Sequence, residues 1–334
     1  MTNVKQYFRS HLKANLRLIT YIFATVLVVS FLFGIENQPT SRYDFELQKT
    51  FDDYKCTLNI PVTILAILTY VIPVMEFSFF KRRVNLDCAY ALPISRRAMG
   101  MVHYVTGLIT LFGAFSASYL VNLLLLISRG KGWFDFSVLP EHFLLCLLVG
   151  FAVYSVFVFV FNEANTKGDG IWFIVLYTFV WVLVLSALGE VFDSMLIYEA
   201  NKFPWGSLFD LTNSYKYIVE MDNPDNATFW QSPDMIAWFA FWVSLGISSF
   251  VGFFLTFGKR RMEKTEEISD SYFGFRTLIP IFAVSGMIFF GEEIVFWVII
   301  ELLAILGYTI YRRGFHYKKS DIAILLALFI LLFI

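Results

Sequence analysis

Phe143-Leu-Leu-Cys-Leu-Leu-Val-Gly-Phe-Ala-Val-Tyr-Ser-Val-Phe-Val-Phe-Val-Phe161 carries no charge from end to end. A helix rises about 1.5 Å per residue, so this run comes close to the ~30 Å hydrocarbon core of a bilayer. Working outwards, comparable runs are Leu18–Gly34, Ile60–Phe80, Met101–Ile127, Gly170–Leu188 and Met235–Phe257. Beyond them lie Leu278–Phe290 and Ile294–Tyr311, joined through Phe290-Gly291-Glu292-Glu293 as a tight hairpin. The first arm is short for a full crossing, which leaves a re-entrant pair as the alternative there. A last run, Ile322–Ile334, reaches the end of the sequence. The expected fold is an all-α polytopic membrane protein of eight or nine spans. Composition agrees: of 334 residues 58% are hydrophobic and 16% charged, against about 45–50% and 25% in soluble domains. The mean hydropathy is +0.65.

Charge between the runs sets the orientation, because cytoplasmic loops carry the excess of Lys and Arg. Lys5, Arg9, Lys13 and Arg17 precede the first span without an intervening acid. Lys81, Arg82, Arg83, Arg96 and Arg97 follow the second span, Lys259, Arg260, Arg261, Lys264 and Arg276 the sixth, and Arg312, Arg313, Lys318 and Lys319 the eighth. The alternate loops are acidic: 35–58 holds Glu36, Asp44, Glu46, Asp52 and Asp53, and 189–234 holds eight acids against Lys202 and Lys216. Simple alternation puts every basic loop on one side, so the N-terminus is expected in the cytoplasm. No small-residue cleavage site follows Leu18–Gly34, so the first span is read as a retained helix. At the far end, Ile334 closes an apolar run with no polar flank, either as the true terminus or as a cut before an outer domain.

The chemistry-bearing residues are scattered. Cys56 lies in a polar loop, Cys88 in a basic one and Cys146 inside an apolar run, with neither a paired framework nor a CxxC. His11, His103, His142 and His316 are equally dispersed, so no metal is expected and each reads as an isolated interfacial side chain. A net charge of −1 with no basic stripe apart from the span flanks gives no nucleic-acid footprint. No G-x-x-x-x-G-K-[ST] occurs, and Arg129-Gly-Lys-Gly132 lacks its spacing, so this chain holds no ATP-hydrolysing phosphate cradle.

Two stretches outside the spans carry a pattern. Val4, Phe8, Leu12 and Leu16 form an apolar row beside a cationic row of Lys5, Arg9, Lys13 and Arg17, which predicts a helix over 1–17 lying in the headgroup plane on anionic lipid. In Lys81–Arg97, Pro93 biases Leu92 away from helix. The expectation is a short helix over Val84–Ala91, then Ser95 capping the helix that runs on from Arg96.

Phe77-Ser-Phe-Phe-Lys-Arg-Arg-Val-Asn-Leu-Asp87 with Ala91-Leu-Pro-Ile-Ser-Arg-Arg97 resembles the first cytoplasmic loop of ABC type-2 permeases, the membrane subunits of bacterial ABC exporters. The six-span layout and the amphipathic N-terminal stretch are similar to that family over about residues 1–260. Arg260–Pro280 is similar to Gram-positive permeases with further helices after the six-helix unit. The resemblance implies an interface helix over 1–17, a six-helix permease domain over 18–257, a cytoplasmic linker over 258–276, and an added hairpin with a terminal apolar helix over 277–334. It implies that Leu86, Asp87, Cys88, Ala89, Tyr90 and Ala91 form a coupling helix seated on a separate ATPase subunit, a dimer that holds ATP and Mg. It also implies that Lys5, Phe8, Arg9, Leu12 and Lys13 form the interface helix, and that a second permease copy or a paralogue completes the pathway. Tyr90-Ala91 stands where relatives often carry a polar residue before Leu-Pro. No cofactor is expected in this chain.

Two acids fall within spans, where ionisable groups are costly and mark function by default. Glu76 lies within about a turn of Lys81 and is expected to reach the interface; Glu301 sits mid-span, as a polar site or proton carrier. Three other readings stay open. A proton-coupled secondary transporter using Glu301 calls for inverted repeats, which Pro61, Pro73 and Pro280 do not supply convincingly. An intramembrane enzyme calls for a cluster of catalytic groups at one depth, and the sequence shows none. A non-transporting sensor or immunity subunit shares the same architecture. The acidic, aromatic loop 189–234 suits either a folded lid or a cationic amphipathic peptide such as an antimicrobial peptide.

Overall fold

The computed structural model describes residues 2–36, 40–44, 49–53, 59–128, 139–192, 233–259, 264–290 and 294–331. The loop 193–232, with most of the aromatic residues read as a lid, lies outside the described residues, as does Cys56. Helices dominate: α1 (Thr2–Glu36), α2 (Asn59–Phe77), α3 (Arg83–Tyr90), α4 (Arg96–Ser128), α5 (Leu139–Glu163), α6 (Lys167–Phe192), α7 (Pro233–Phe257), α8 (Phe275–Phe289), α9 (Ile294–Arg312) and α10 (Lys319–Leu331). Among the described residues six helical stretches are long and apolar enough to cross a membrane: Val4–Gly34, Ile60–Lys81, Arg96–Leu125, His142–Glu163, Phe239–Phe257 and Ile294–Arg312. The chain is therefore a helical, multi-pass membrane protein in character. One departure from all-α is a two-stranded antiparallel hairpin, β1 (Thr40–Asp44) with β2 (Lys49–Asp53), pairing Arg42 with Phe51 in the acidic loop before α2.

The N-terminal segment departs from expectation. Residues 1–17 do not form a helix of their own, because α1 runs unbroken for 35 residues, about 52 Å at helical rise. The sequence gives it no reason to stop, since neither Pro nor Gly occurs between Thr2 and Phe33. Its inward face also differs from the apolar row. Tyr7, His11 and Asn15, one turn apart, are half-buried, whereas Val4 and Leu16 are exposed.

The chain resolves into two compact units that interleave in sequence. The first holds α1, the β-hairpin, α2 up to Glu76, α4, α5 up to Val156, and α7. Here α1 packs along α4, and α4 meets α7. Small residues set the approach. A Cβ on Gly246 of α7 would lie 2.6 Å from the Ala152 Cα of α5, so two backbones touch there as they do at membrane helix crossings. Buried hydroxyls find partners inside this unit: Tyr104 with Ser155 at 2.7 Å, Tyr154 to the Tyr104 carbonyl at 3.2 Å, and Ser30 with Ser118 at 2.6 Å.

The second unit holds α3, the end of α5, α6, and α8 to α10. α8 packs on α6 and on α9, giving the expected helical hairpin. Gly286 of α8 meets Ile300 of α9, and Gly307 of α9 meets Ile279 of α8. With 15 residues, α8 spans only about 22 Å. α9 ends with Arg313 at φ 54° and the Gly314 amide on the Thr309 carbonyl at 3.0 Å, a left-handed cap that satisfies the last carbonyls.

Candidate functional site

The loop read as a coupling element folds as its residues dictate. α3 closes at Tyr90, the chain turns through Pro93, and Ser95 caps α4, its Oγ accepting the Ala98 amide at 3.3 Å. What the sequence does not show is how firmly α3 is held. Lys81, in the 3-10 turn Ser78–Lys81, is buried. Its ammonium donates to the carbonyls of Phe161, Asn162 and Ala164 at 2.7, 3.1 and 2.5 Å. Those carbonyls lie at the α5 C-terminus, the negative end of its dipole. Arg83 opens α3 and donates to the Thr265 carbonyl at 2.8 Å, with Glu266 and Glu267 within 3.9 and 3.8 Å. Leu86, expected at the docking surface, is buried and anchors α3 instead. Val84 (76% exposed) and Leu92 are exposed hydrophobics, with Asp87 and Ala91 exposed beside them. The side chains of Cys88, Ala89 and Tyr90 lie outside the described residues.

The linker that follows α7 is the hub of the second unit. The backbone amide of Asn165, between α5 and α6, donates to Ser269 Oγ at 2.7 Å, and Ser269 donates to Asp169 at 2.5 Å. Ser271 donates to Glu163 at 2.9 Å. The Tyr311 hydroxyl donates to Asp270 at 2.5 Å, which, with the charges of Lys318, Arg276 and Arg312, holds that carboxyl below its usual range. Arg313 reaches the Glu266 and Glu267 carbonyls, both at 3.4 Å. One segment thus ties the start of α3, the α5–α6 turn and the α9–α10 turn together.

On α1 the expected interface residues Lys5, Arg9 and Lys13 are exposed, and Phe8 and Leu12 are half-buried. Glu301 is partly buried mid-way along α9, and its Oε2 has no hydrogen-bond partner among the described residues.

Glu76, within about a turn of Lys81, is turned into the protein. It is 8% exposed, and two histidines close on it. His11 Nε2 lies 3.1 Å from Glu76 Oε2, and His103 Nδ1 lies 3.4 Å from the same oxygen. His103 Nδ1 is also 3.1 Å from the Glu76 carbonyl, and its Nε2 is 3.1 Å from the Tyr7 hydroxyl. Asn15 Nδ2 stands 3.0 Å from His11 Nε2, and the two imidazole centroids are 3.9 Å apart. One ligand atom from each of His11, Glu76 and His103 falls within 4.8 Å of the others.

Three of the four histidines are therefore not isolated, as their spacing suggests. His142 pairs through Nδ1 with the Tyr119 hydroxyl at 3.2 Å and through Nε2 with Cys146 Sγ at 3.7 Å; His316 is exposed. Depth is the signal that finds the first cluster. His11 sits between Arg9 and Lys13, Glu76 just before Lys81 and His103 just after Arg97, so all three lie at the same basic-flanked level.

No protein-family model matches the chain, and no curated protein matches it.

Proposed function

We propose that the chain is the permease subunit of an ATP-driven ABC exporter of the type-2 class, in a bacterial cell membrane, with the N-terminus and both ends of its six-helix unit on the cytoplasmic side. The observation that carries this reading is α3. It is a short helix between two long apolar ones, braced by Lys81, Arg83 and Leu86, that leaves Val84, Asp87 and Leu92 outward. A braced helix with a free outer face transmits a push rather than absorbing it. An ATPase dimer bearing ATP and Mg presses there, the spans rock, and a path between two permease copies, or a copy and a paralogue, opens and closes. This chain then does no covalent chemistry.

Native membranes expressing the tagged chain should yield an ATP-binding subunit on gentle purification. Val84→Glu with Asp87→Arg should cut the recovered ATPase at least about tenfold with the permease level unchanged, as charge reversal at a docking surface does. ATP-independent transport by the purified chain sinks the proposal.

Glu301 supports a second reading, a proton-coupled secondary transporter, because its Oε2 is buried without a partner. Under the exporter reading Glu301→Gln leaves ATP-dependent transport intact; under the second it abolishes transport. A sensor or immunity subunit of the same architecture would bind the ATPase without moving a substrate.

A further inference from the structure

We propose that His11, Glu76 and His103 bind one divalent first-row transition metal, best matched by Zn²⁺, which clasps α1 to α2 and α4. Two imidazoles and a carboxylate suit zinc and its neighbours, whereas Mg²⁺ and Ca²⁺ prefer all-oxygen sites. Spacing agrees. Tetrahedral zinc with bonds of about 2.0–2.1 Å puts its ligand atoms about 3.3 Å apart. The two contacts to Glu76 Oε2 measure 3.1 and 3.4 Å, and the full set lies within 4.8 Å.

Hydrogen bonding accounts for the arrangement only if one proton is shared between two acceptors. His11 Nε2 is approached at 3.1 Å by a carboxylate oxygen and at 3.0 Å by the Asn15 amide nitrogen. One ring nitrogen offers either a proton or a lone pair, so it cannot donate to Glu76 and accept from Asn15 together. Turning the Asn15 amide over makes one N–H serve two acceptors, a three-centre bond weaker at each than a two-centre one. A cation on the lone pair, shared with Glu76, removes the conflict and leaves the fourth position to water or to Asn15 Oδ1. It also compensates a carboxylate buried against the apolar faces of three helices.

The surroundings fit as well. Ligation at His103 Nδ1 exchanges its bond to the Glu76 carbonyl for the metal and turns Nε2–H toward Tyr7, 3.1 Å away. A metal-bound imidazole is usually oriented by such a partner on its other nitrogen. The His142 cluster lacks this character, since it joins a tyrosine and a thiol with no carboxylate.

The test uses the full chain in detergent, purified through a tag without histidines, stripped with chelator, and titrated with ZnCl₂ against a chromophoric competitor. One Zn²⁺ per chain is expected, together with a Co²⁺ absorption spectrum of tetrahedral type. His11→Gln and His103→Gln should each weaken binding about 100-fold or more, Tyr7→Phe about tenfold, and His316→Gln not at all. Zinc should raise the melting temperature of the wild-type chain and not that of His11→Gln. If His103→Gln fails to fold, His11→Gln decides, because His11 is less deeply buried than His103. Absence of stoichiometric binding by the wild-type chain overturns the site, and so does binding by His11→Gln as tight as wild type.

Discussion

Arg312 and Asp321 show how much a single pair of side chains carries where the chain leaves α9 for α10. The guanidinium grips both carboxylate oxygens, Nε at 2.7 Å and NH2 at 2.8 Å, and stacks on the Tyr311 ring at 4.1 Å. Asp321 also accepts the Lys318 amide at 3.1 Å and so caps α10. Burial works against the Asp321 charge, but the hydrogen bonds from Arg312 and the Lys318 amide outweigh it and hold the carboxyl below its ordinary range. A carboxyl depressed on folding contributes stability above its unfolded value, near 3.9, and that contribution disappears as pH falls through the lower folded value. The melting temperature of the detergent-solubilised chain should therefore not vary through this pair between pH 5 and 8, where its contribution is complete, and should fall on acidification below about 4. Asp321→Asn should cost about 3 kcal/mol at pH 7, because it strands a buried guanidinium, and should blunt the acid limb. An unchanged acid limb in that variant would show that the pair does not set it. Both residues are plain in the sequence, Arg312 as one more topology charge, but their fork is not. Nothing local to Arg312 says that the chain turns back within nine residues to meet it.

At the scale of elements, the helices were legible because bilayer thickness and apolar composition leave little choice. Val84–Ala91, Pro93 and Ser95 predicted α3, its stop and the next cap to within a residue or so, since those rules act over one turn. The amphipathic reading of residues 1–17 did not reach the polar residues by which α1 meets its neighbours. Its buried partners come from Glu76 and His103, 65 and 92 residues away in sequence, and no periodicity reports a partner so distant. Lys81 marks the same limit. In the sequence it is a flank charge; in the fold it ends α5 by satisfying three carbonyls. Lys81→Met should strip the shared charged donor from those carbonyls at the end of α5, at a cost of about 3–5 kcal/mol. Arg82→Met, an exposed neighbour, should cost less than about 0.5 kcal/mol. A thermal-shift comparison of the two, with equal losses, would remove Lys81 as the anchor of α3.

For the whole molecule the decisive quantity is which loops share a side, and the second unit answers part of it by contact. Arg83 touches Thr265, and Arg313 touches the carbonyls of Glu266 and Glu267, so the openings of α3, the linker and the α9–α10 turn occupy one face. A chain whose residues 83 and 265 meet at one face crosses the bilayer an even number of times between them, and α4 to α7 supply four described helices. From 266 to 313 the α8–α9 hairpin enters and returns, whether or not its short first arm crosses fully. Charge counting reached the same grouping from Lys and Arg alone, by an independent physical cause, and adds the expectation that this face is cytoplasmic. The prediction follows in a chain freed of Cys56, Cys88 and Cys146. Single cysteines from Val84→Cys, Ile268→Cys and Phe315→Cys, all at exposed positions, should resist a membrane-impermeant maleimide in intact cells and react in inverted vesicles. Tyr43→Cys, on β1 before α2, should do the opposite, because one crossing separates it from Val84. Labelling of residues 43 and 84 from the same side would mean that α2 does not cross, and a split among 84, 268 and 315 would break the shared face. The reverse pattern at all four sites would keep the fold, turn it over in the membrane, and remove the cytoplasmic docking of α3 on which the exporter reading depends.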